Sequence, residues 1–380
     1  MLDRLVRLFT SLRLTVVLLA LGGILVFWGT LAQVDLGLYK AQNAFFRSFF
    51  VFWHPGDGTM RIPIFPGGYL IGGLLLINLF SAHLRYYKVG WKKLGIAMIH
   101  LGIVLLLLGQ FATDMLSQES AMHIRNGETR NYSEAARTWE LAVIEDSTNV
   151  VEKVVAIPDK MLSNGKEVTD PEMPFTVRVK SYFMNSALSE TNRTGFAQVG
   201  TTGGIGGDLF WAELPRVTEM DSRDMPSGIF EISTPQGSLG KLLISSYLSR
   251  PQHLTFNGKK YDLALRPMRF YKPFSIHLVK FTHDQYMGTD IPKNFSSRIR
   301  LMRPDTGENR EVLIYMNSPL RYDGETFYQA SFDTDDQGTI LEVVHNPSWL
   351  TPYLACIMVA FGLIYQFLSH LTKFIKRKSA

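Results

Sequence analysis

The chain has a single cysteine, Cys356, among its 380 residues. It can form no internal disulfide and carries no CxxC pair, which excludes thiol redox chemistry within the chain. Set in an apolar run, such a cysteine reads as a small packing residue. A G-x-x-x-x-G-K-[ST] phosphate loop is also lacking, which sets aside nucleotide hydrolysis. The Gly-rich stretch Thr201–Asp208 has neither dinucleotide spacing nor a βαβ setting. It reads as a loop and as the boundary between two lobes. The net charge of +5 is modest and traces to short basic clusters, so nothing points to nucleic acid. No long amphipathic helix pattern occurs between 120 and 342.

Charge is missing altogether from four stretches. Leu14–Gln33, Ile62–Leu84, Leu94–Thr113 and Val343–Thr372 contain no Asp, Glu, Lys or Arg. A helix of about 20 apolar residues crosses a hydrocarbon layer of roughly 30 Å, so each stretch predicts a membrane span. Arg4, Arg7 and Arg13 precede the first, Arg85, Lys88, Lys92 and Lys93 fill the turn between the second and third, and Lys373, Lys376, Arg377 and Lys378 follow the fourth. Lys/Arg excess marks the cytoplasmic side, and all three clusters predict one topology. The expected organisation is a basic cytoplasmic N-terminus (1–13), span 14–33, an outer loop 34–61, span 62–84, a cytoplasmic turn 85–93 and span 94–113. An extracytoplasmic domain follows (114–342), then a segment containing the fourth span (343–372) and a basic cytoplasmic tail (373–380). The first run is too long for an ordinary signal-peptide core, and the charges alternate only if it is retained.

The outer domain reads as β-rich. Glu140–Glu145, Phe175–Val179 and Lys260–Leu265 show strand-type residues of period two. Asn126-Gly127, Asn164-Gly165, Asn257-Gly258, Asp305-Thr306-Gly307 and Asp323-Gly324 supply turns, since such pairs tolerate φ > 0. The expected fold is therefore an integral membrane protein with four transmembrane α-helices, three N-terminal and one C-terminal, plus an antiparallel sandwich or barrel. In the loop 34–61, Phe45, Phe46, Phe49, Phe50, Phe52 and Trp53 surround Arg47. They suit either an interfacial anchor in membrane lipid or a platform for a flat apolar ligand or a partner's helices.

Three histidines fall within the apolar runs: His83, His100 and His370. His83 lies two residues from Arg85 and His370 three from Lys373, within reach of the interface. His100 sits roughly 10 Å beyond Lys93 at 1.5 Å per residue. An ionisable group at that depth is a candidate site, the alternative being an interhelical hydrogen bond to a residue such as Asn78. Gly95, Gly102 and Gly109 recur every seven residues and form a smooth packing stripe, with His100 about 140° round from it. Near the cations Arg85 and Lys88, an imidazole could ligate the iron of a planar cofactor with anionic edges, which is haem's anatomy. The cation cluster also has a plain topological explanation. His253, His277, His283 and His345 are isolated in sequence and read as surface or sheet residues.

The chain resembles the ResB (CcsB) family of cytochrome c biogenesis proteins. The likeness rests on Ser11–Leu14, Gly29–Gln33, His100–Ile103 with Leu106–Gly109, Asp290–Ser297, Met316–Leu320 and Gly324–Phe332, in the family's order; residues 150–240 carry no recognised motif. The resemblance implies a bacterial cytoplasmic (inner) membrane protein with its large domain on the periplasmic or outer side. It implies work with a ResC/CcsA-type membrane protein, carrying haem b transiently across the membrane and assisting its attachment to apocytochrome c. Trp28, Trp53, Trp91, Trp139, Trp211 and Trp349 are scattered rather than clustered. The chain would thus be one half of a haem-attaching complex, incomplete alone. The resemblance puts haem-iron ligation on His100, with His83 second, and a docking surface for apocytochrome on strands around 312–332. Two other readings stay open. One is a scaffold or chaperone that binds apocytochrome or partner proteins without ligating haem, and the other is a transporter subunit.

Overall fold

Proline and glycine decide where the apolar runs become helix. The computed structural model describes residues 2–53, 55, 60–86, 93–146, 152–217, 222–288 and 292–378. They fall into a helical unit, Met1–Gln118 with His345–Ala380, and a β unit, Glu119–Val217 with Asp221–Val344. The helical unit contains α1 (Leu2–Phe9), α2 (Leu12–Leu36), α3 (Leu38–Ala41), α4 (Gly68–Tyr86), α5 (Leu94–Leu116) and α6 (Thr351–Lys378). A π-helical turn, Gln42–Phe46, continues α3. Four of these helices, α2, α4, α5 and α6, are long and apolar enough to cross a membrane.

The second apolar run is not helical from its start. Ile62–Pro66 forms strand β2, which pairs antiparallel with β1 (Phe50–Trp53). Pro63 and Pro66 lack an N–H and disfavour helical backbone in the residue before each, so α4 begins only after Gly67. The fourth helix likewise starts at Thr351, with Pro352 in its first turn, where a missing N–H costs nothing. Ser11 caps α2 by accepting from the Arg13 N–H at 3.2 Å, and Gly37, at φ 73°, ends it. The expected outer loop therefore holds the last turn of α2, α3, the π turn and β1.

The glycine stripe has the predicted use. Gly95, Gly102 and Gly109 are buried in α5 and face α6. A Cβ on Gly95 would lie 2.8 Å from the Gly362 carbonyl oxygen, and one on Gly102 would lie 2.7 Å from Val359 Cγ2. Backbones approach this closely only without side chains between them. Polar side chains tie the remaining helices. Asn78, 3% exposed, accepts from the Thr15 hydroxyl at 2.6 Å and donates to the Phe9 carbonyl at 2.8 Å. Asp114 is held by Arg47 Nε at 2.8 Å and by the Tyr69 hydroxyl. Phe45 and Val51 of the aromatic segment pack with Leu25 and Ile71, while Phe49, Phe50, Phe52 and Trp53 stay exposed.

The β unit begins with β3 (Gln118–Arg125), β4 (Thr129–Asp146), β5 (Lys153–Pro158), β6 (Glu167–Val168), β7 (Thr176–Phe183), β8 (Ser186–Ser189), β9 (Ala197–Gln198) and β10 (Phe210–Glu213). It continues through β11 (Ser227–Thr234), β12 (Gly237–Ser245), β13 (Gln252–Phe256) and β14 (Lys259–Gln285). Last come β15 (Pro292–Arg303), β16 (Glu308–Tyr315), β17 (Leu320–Tyr322), β18 (Glu325–Phe332) and β19 (Gly338–His345). The main sheet runs β16-β15-β14-β4-β3-β19-β18-β17, and smaller sheets run β12-β11-β7-β6 and β8-β10-β9. The β13–β14 and β17–β18 turns have the expected left-handed pairs, Asn257 and Gly258 at φ 48° and 73°, and Asp323 and Gly324 at φ 51° and 78°.

Two cores share the long strands. Leu141, Val177, Phe230, Ile232, Ile244 and Leu263 centre one, and Met122, Phe274, Ile276, Leu301, Phe327 and Leu341 the other. The first half of β14 serves one core and its second half the other. Thr201–Asp208 is therefore not the lobe boundary: Gly206 packs on Leu243, and Gly204 lies against Gln252 and Leu242. The boundary lies in the middle of β14, where Arg266 pairs with Glu140 at 2.8 Å, Arg269 with Glu134 at 3.1 Å and Lys272 with Glu325 at 2.5 Å.

Candidate functional site

The α4–α5 hairpin fixes which residues meet. Tyr69 of α4 bonds Asp114 of α5, and 14 residues further along α4, about 21 Å at 1.5 Å per residue, His83 meets His100. Their ring centroids are 5.4 Å apart with planes at 87°, an edge-to-face contact. Leu79, Phe80 and Leu84 of α4 with Leu101 and Val104 of α5 line the cavity around them, about 240 Å³ in volume. Both histidines are half-buried.

His100 Nδ1 is buried and finds no hydrogen-bond partner among the described residues. The expected alternative partner does not serve it, because Asn78 is engaged with Thr15, Phe9 and Ser11. Most buried polar side-chain atoms are hydrogen-bonded, so an orphaned imidazole nitrogen marks a place where something else can bind. The donor set limits what that is. No group of three or more His, Cys, Asp or Glu that could hold a metal ion occurs among the described residues. A bare ion asks for three or four protein ligands, whereas haem brings its own four nitrogens and asks for one or two axial ones. The residues present fit the second case. Rings in edge-to-face contact do not lie on opposite sides of one macrocycle, so the pair offers one axial ligand rather than two.

The other candidates lie elsewhere. Arg85 is exposed near the end of α4, and Lys88 lies outside the described residues. His370 on α6 is hydrogen-bonded to Gln366 at 2.7 Å and does not join the pair. Cys356 is exposed rather than packed inside, beside Gly102, Ile103, Leu106, Val359, Ala360 and Leu363. It stands on the α6 face that α5 only partly covers.

Of the histidines read as isolated in the β unit, three have partners. His253 Nδ1 lies 2.6 Å from Asp262, His277 Nδ1 3.0 Å from the Thr129 hydroxyl, and His283 Nδ1 3.0 Å from Asp336. His123, on β3, lies 2.9 Å from Asp333. Sequence reasoning missed these because the acidic partners of His123 and His283 sit 210 and 53 residues away.

Comparison with known proteins agrees with the resemblance read above. Residues 253–349 match the ResB-like family. Over 302 residues the chain is 23% identical to Protein NrfI of Wolinella succinogenes, covering 80% of this chain and 30% of that relative. The chain thus spans about a third of the length of that curated relative.

Proposed function

We propose, on the premise that this chain is a ResB-like protein of cytochrome c biogenesis, that it is a haem-handling subunit of a cytochrome c synthase complex. Haem b is its cargo, held transiently within the membrane by His100 and passed on for covalent attachment to apocytochrome c on the outer side. The observation that carries this reading is the buried, partnerless Nδ1 of His100 in an apolar cavity beside His83. When bound, haem supplies the iron and the vinyl groups that become thioethers. The chain's own residues do the holding. The α5–α6 glycine contact fixes the helix that carries His100, and His83 sets the orientation of its ring from the side. Leu79, Phe80, Leu84, Leu101 and Val104 keep water from the nitrogen. Arg85, two residues from His83, is the cation this reading assigns to a propionate.

The topology belongs to the same proposal. Basic residues at both termini and in the 85–93 turn put those segments in the cytoplasm and the β unit outside the inner membrane. A second membrane protein of the ResC/CcsA type completes the machinery. In this reading the chain is one half of a haem-attaching complex and works only with that partner.

The test is an absorption spectrum of the purified full chain, with and without its co-expressed partner, for wild type and His100→Ala. The expected result is a Soret band in the wild type that falls at least tenfold in His100→Ala. An undiminished band in His100→Ala would move ligation to His83 or to the partner. The absence of haem from every preparation would favour a scaffold that binds apocytochrome or partner proteins without ligating haem.

A further inference from the structure

The β1–β2 ribbon of the helical unit is a sheet of only two strands, Phe50–Trp53 against Ile62–Pro66. Val51 is buried, but Phe49, Phe50, Phe52, Trp53, Ile62 and Ile64 are exposed. Arg47 is the sole charge between Phe45 and Trp53.

The root of the ribbon is fixed. The Gly67 N–H donates to the Phe49 carbonyl at 2.8 Å, and the Tyr69 N–H to the Ser48 carbonyl at 3.1 Å. A Cβ on Gly67 would collide with that Ser48 oxygen. Trp28 of α2 meets Phe45 and Phe65 edge-to-face at 5.4 and 5.9 Å. The Phe49 ring lies 5.9 Å from that of Tyr69. Tyr69 stands at the start of α4 and bonds Asp114 near the end of α5, where Arg47 Nε meets the same carboxylate at 2.8 Å. The ribbon is thus rooted at the level where α4 begins and α5 ends.

Each strand of a two-stranded ribbon has an edge without a sheet partner, and the N–H and C=O groups there need other hydrogen bonds. Hydrocarbon offers none and charges several kcal/mol for each group, so the ribbon does not lie in the acyl core. Water would satisfy the backbone but leave a cluster of rings and isoleucines exposed. The headgroup region serves both, and aromatic side chains collect there. The apolar side chains also leave the ribbon on both faces. Phe52 and Trp53, 43% and 54% exposed, are adjacent in β1 and point opposite ways. A docked partner helix covers one face, whereas lipid surrounds both. Charge agrees, because the Arg47 side chain is 47% exposed beyond its contact with Asp114 and can donate to a phosphate. We infer that the β1–β2 ribbon is a lipid anchor, seated among phospholipid headgroups with its rings against the upper acyl chains and Arg47 turned to the phosphates. This rests on the membrane topology proposed above and not on haem. The anchor holds the α4–α5 hairpin, and with it His83 and His100, at a fixed depth.

The experiment is quenching of tryptophan fluorescence in the full chain, reconstituted into phosphatidylcholine/phosphatidylglycerol vesicles. The lipids carry bromine either near the head or near the end of the acyl chain, and acrylamide is the aqueous quencher. Trp53 is read as the difference between wild type and Trp53→Phe. Phe361→Trp, at an exposed position inside α6, supplies a mid-span reference as its gain over wild type. Far-ultraviolet circular dichroism checks that each variant is folded. Trp53 should be quenched about twofold more by shallow than by deep bromine, and the Phe361→Trp signal should show the reverse order. Arg47→Gln, which leaves Tyr69 to bond Asp114, should lose part of the shallow quenching at Trp53. A Trp53 open to acrylamide and untouched by bromine puts the ribbon in water and overturns the anchor, while a quenched Phe361→Trp signal keeps the spans in the bilayer. A Trp53 shielded from both quenchers means that protein covers the ribbon, and stronger quenching by deep bromine places it in the acyl core; either overturns the anchor. An Arg47→Gln variant quenched like wild type overturns the phosphate contact. Loss of bromine quenching at both positions overturns the membrane topology itself.

Discussion

In the helical unit polar side chains are few, uncharged for the most part and tied one by one. In the β unit they are many, charged and paired across strands. Asn78 with Thr15 and the Arg47–Asp114–Tyr69 cluster are examples in the helical unit. The middle of β14 alone carries Arg266–Glu140, Arg269–Glu134 and Lys272–Glu325, between two apolar cores. The cohesive device differs too. Glycine lets α5 and α6 approach backbone to backbone, whereas Phe230, Phe274 and Phe327, all 2% exposed or less, fill the cores of the β unit. The difference follows from solvent. If the apolar helices lie in lipid as proposed, lipid gives them no reason to associate and close packing does the work, while water drives large side chains together in a sheet domain. Against either background a buried imidazole nitrogen without a partner stands out, and among the described residues each unit has one.

The comparison can be broken at its strongest points first. Phe274→Ala or Phe230→Ala should destabilise the β unit by about 3–5 kcal/mol, read as a lowered denaturant midpoint by near-ultraviolet circular dichroism. Arg266→Met should cost about 3–5 kcal/mol because it strands Glu140, 4% exposed on its side chain, without a counter-ion. Replacing both, as Arg266→Met/Glu140→Leu, should recover most of that loss. A double variant no better than the single one would contradict a role for the pair as such. In the helical unit the sensitive direction is the opposite one, adding rather than removing bulk. Gly102→Leu would put its Cβ 2.9 Å from the Ala355 carbonyl oxygen. It should cost roughly 1–3 kcal/mol, seen as a lower melting temperature in detergent, with the β unit's own transition unchanged.

The smallest effect is a pH dependence. The Glu342 carboxyl is held above the usual range, first by desolvation and then by the neighbouring Glu119 charge. A raised carboxyl penalises the ionised folded state. The penalty is absent below the ordinary glutamate range, grows as pH rises through it, and is complete above the raised value. Glu342→Gln should therefore stabilise the protein near neutral pH by less than about 1 kcal/mol, with the gain disappearing in acid.

Much of this was legible in the sequence. Uncharged runs located four helices because nothing but length and apolarity is required of a span, and the hairpin between Tyr69 and Asp114 is short enough to bring His83 to His100. The run at 62–84 overshot at its start because hydropathy is blind to backbone. Pro63 and Pro66 are apolar and still forbid the helix there. Strands at 140–145, 176–179 and 260–265 showed through their alternation, yet the full extent of β14 did not. Pro267 interrupts its pattern, and register shifts accompany it and Pro273. The two-core division was hidden for the same reason, since one strand serves both. His283–Asp336 was unreadable because its partners join through tertiary structure alone.

The most direct test of the proposed haem ligation is chemical rescue at His100. Haem-loaded full chain carrying His100→Gly should lack the wild-type Soret position and regain it on adding imidazole, which can enter the space left by the side chain. A His100→Gly protein whose spectrum equals that of wild type without imidazole would contradict ligation by this residue.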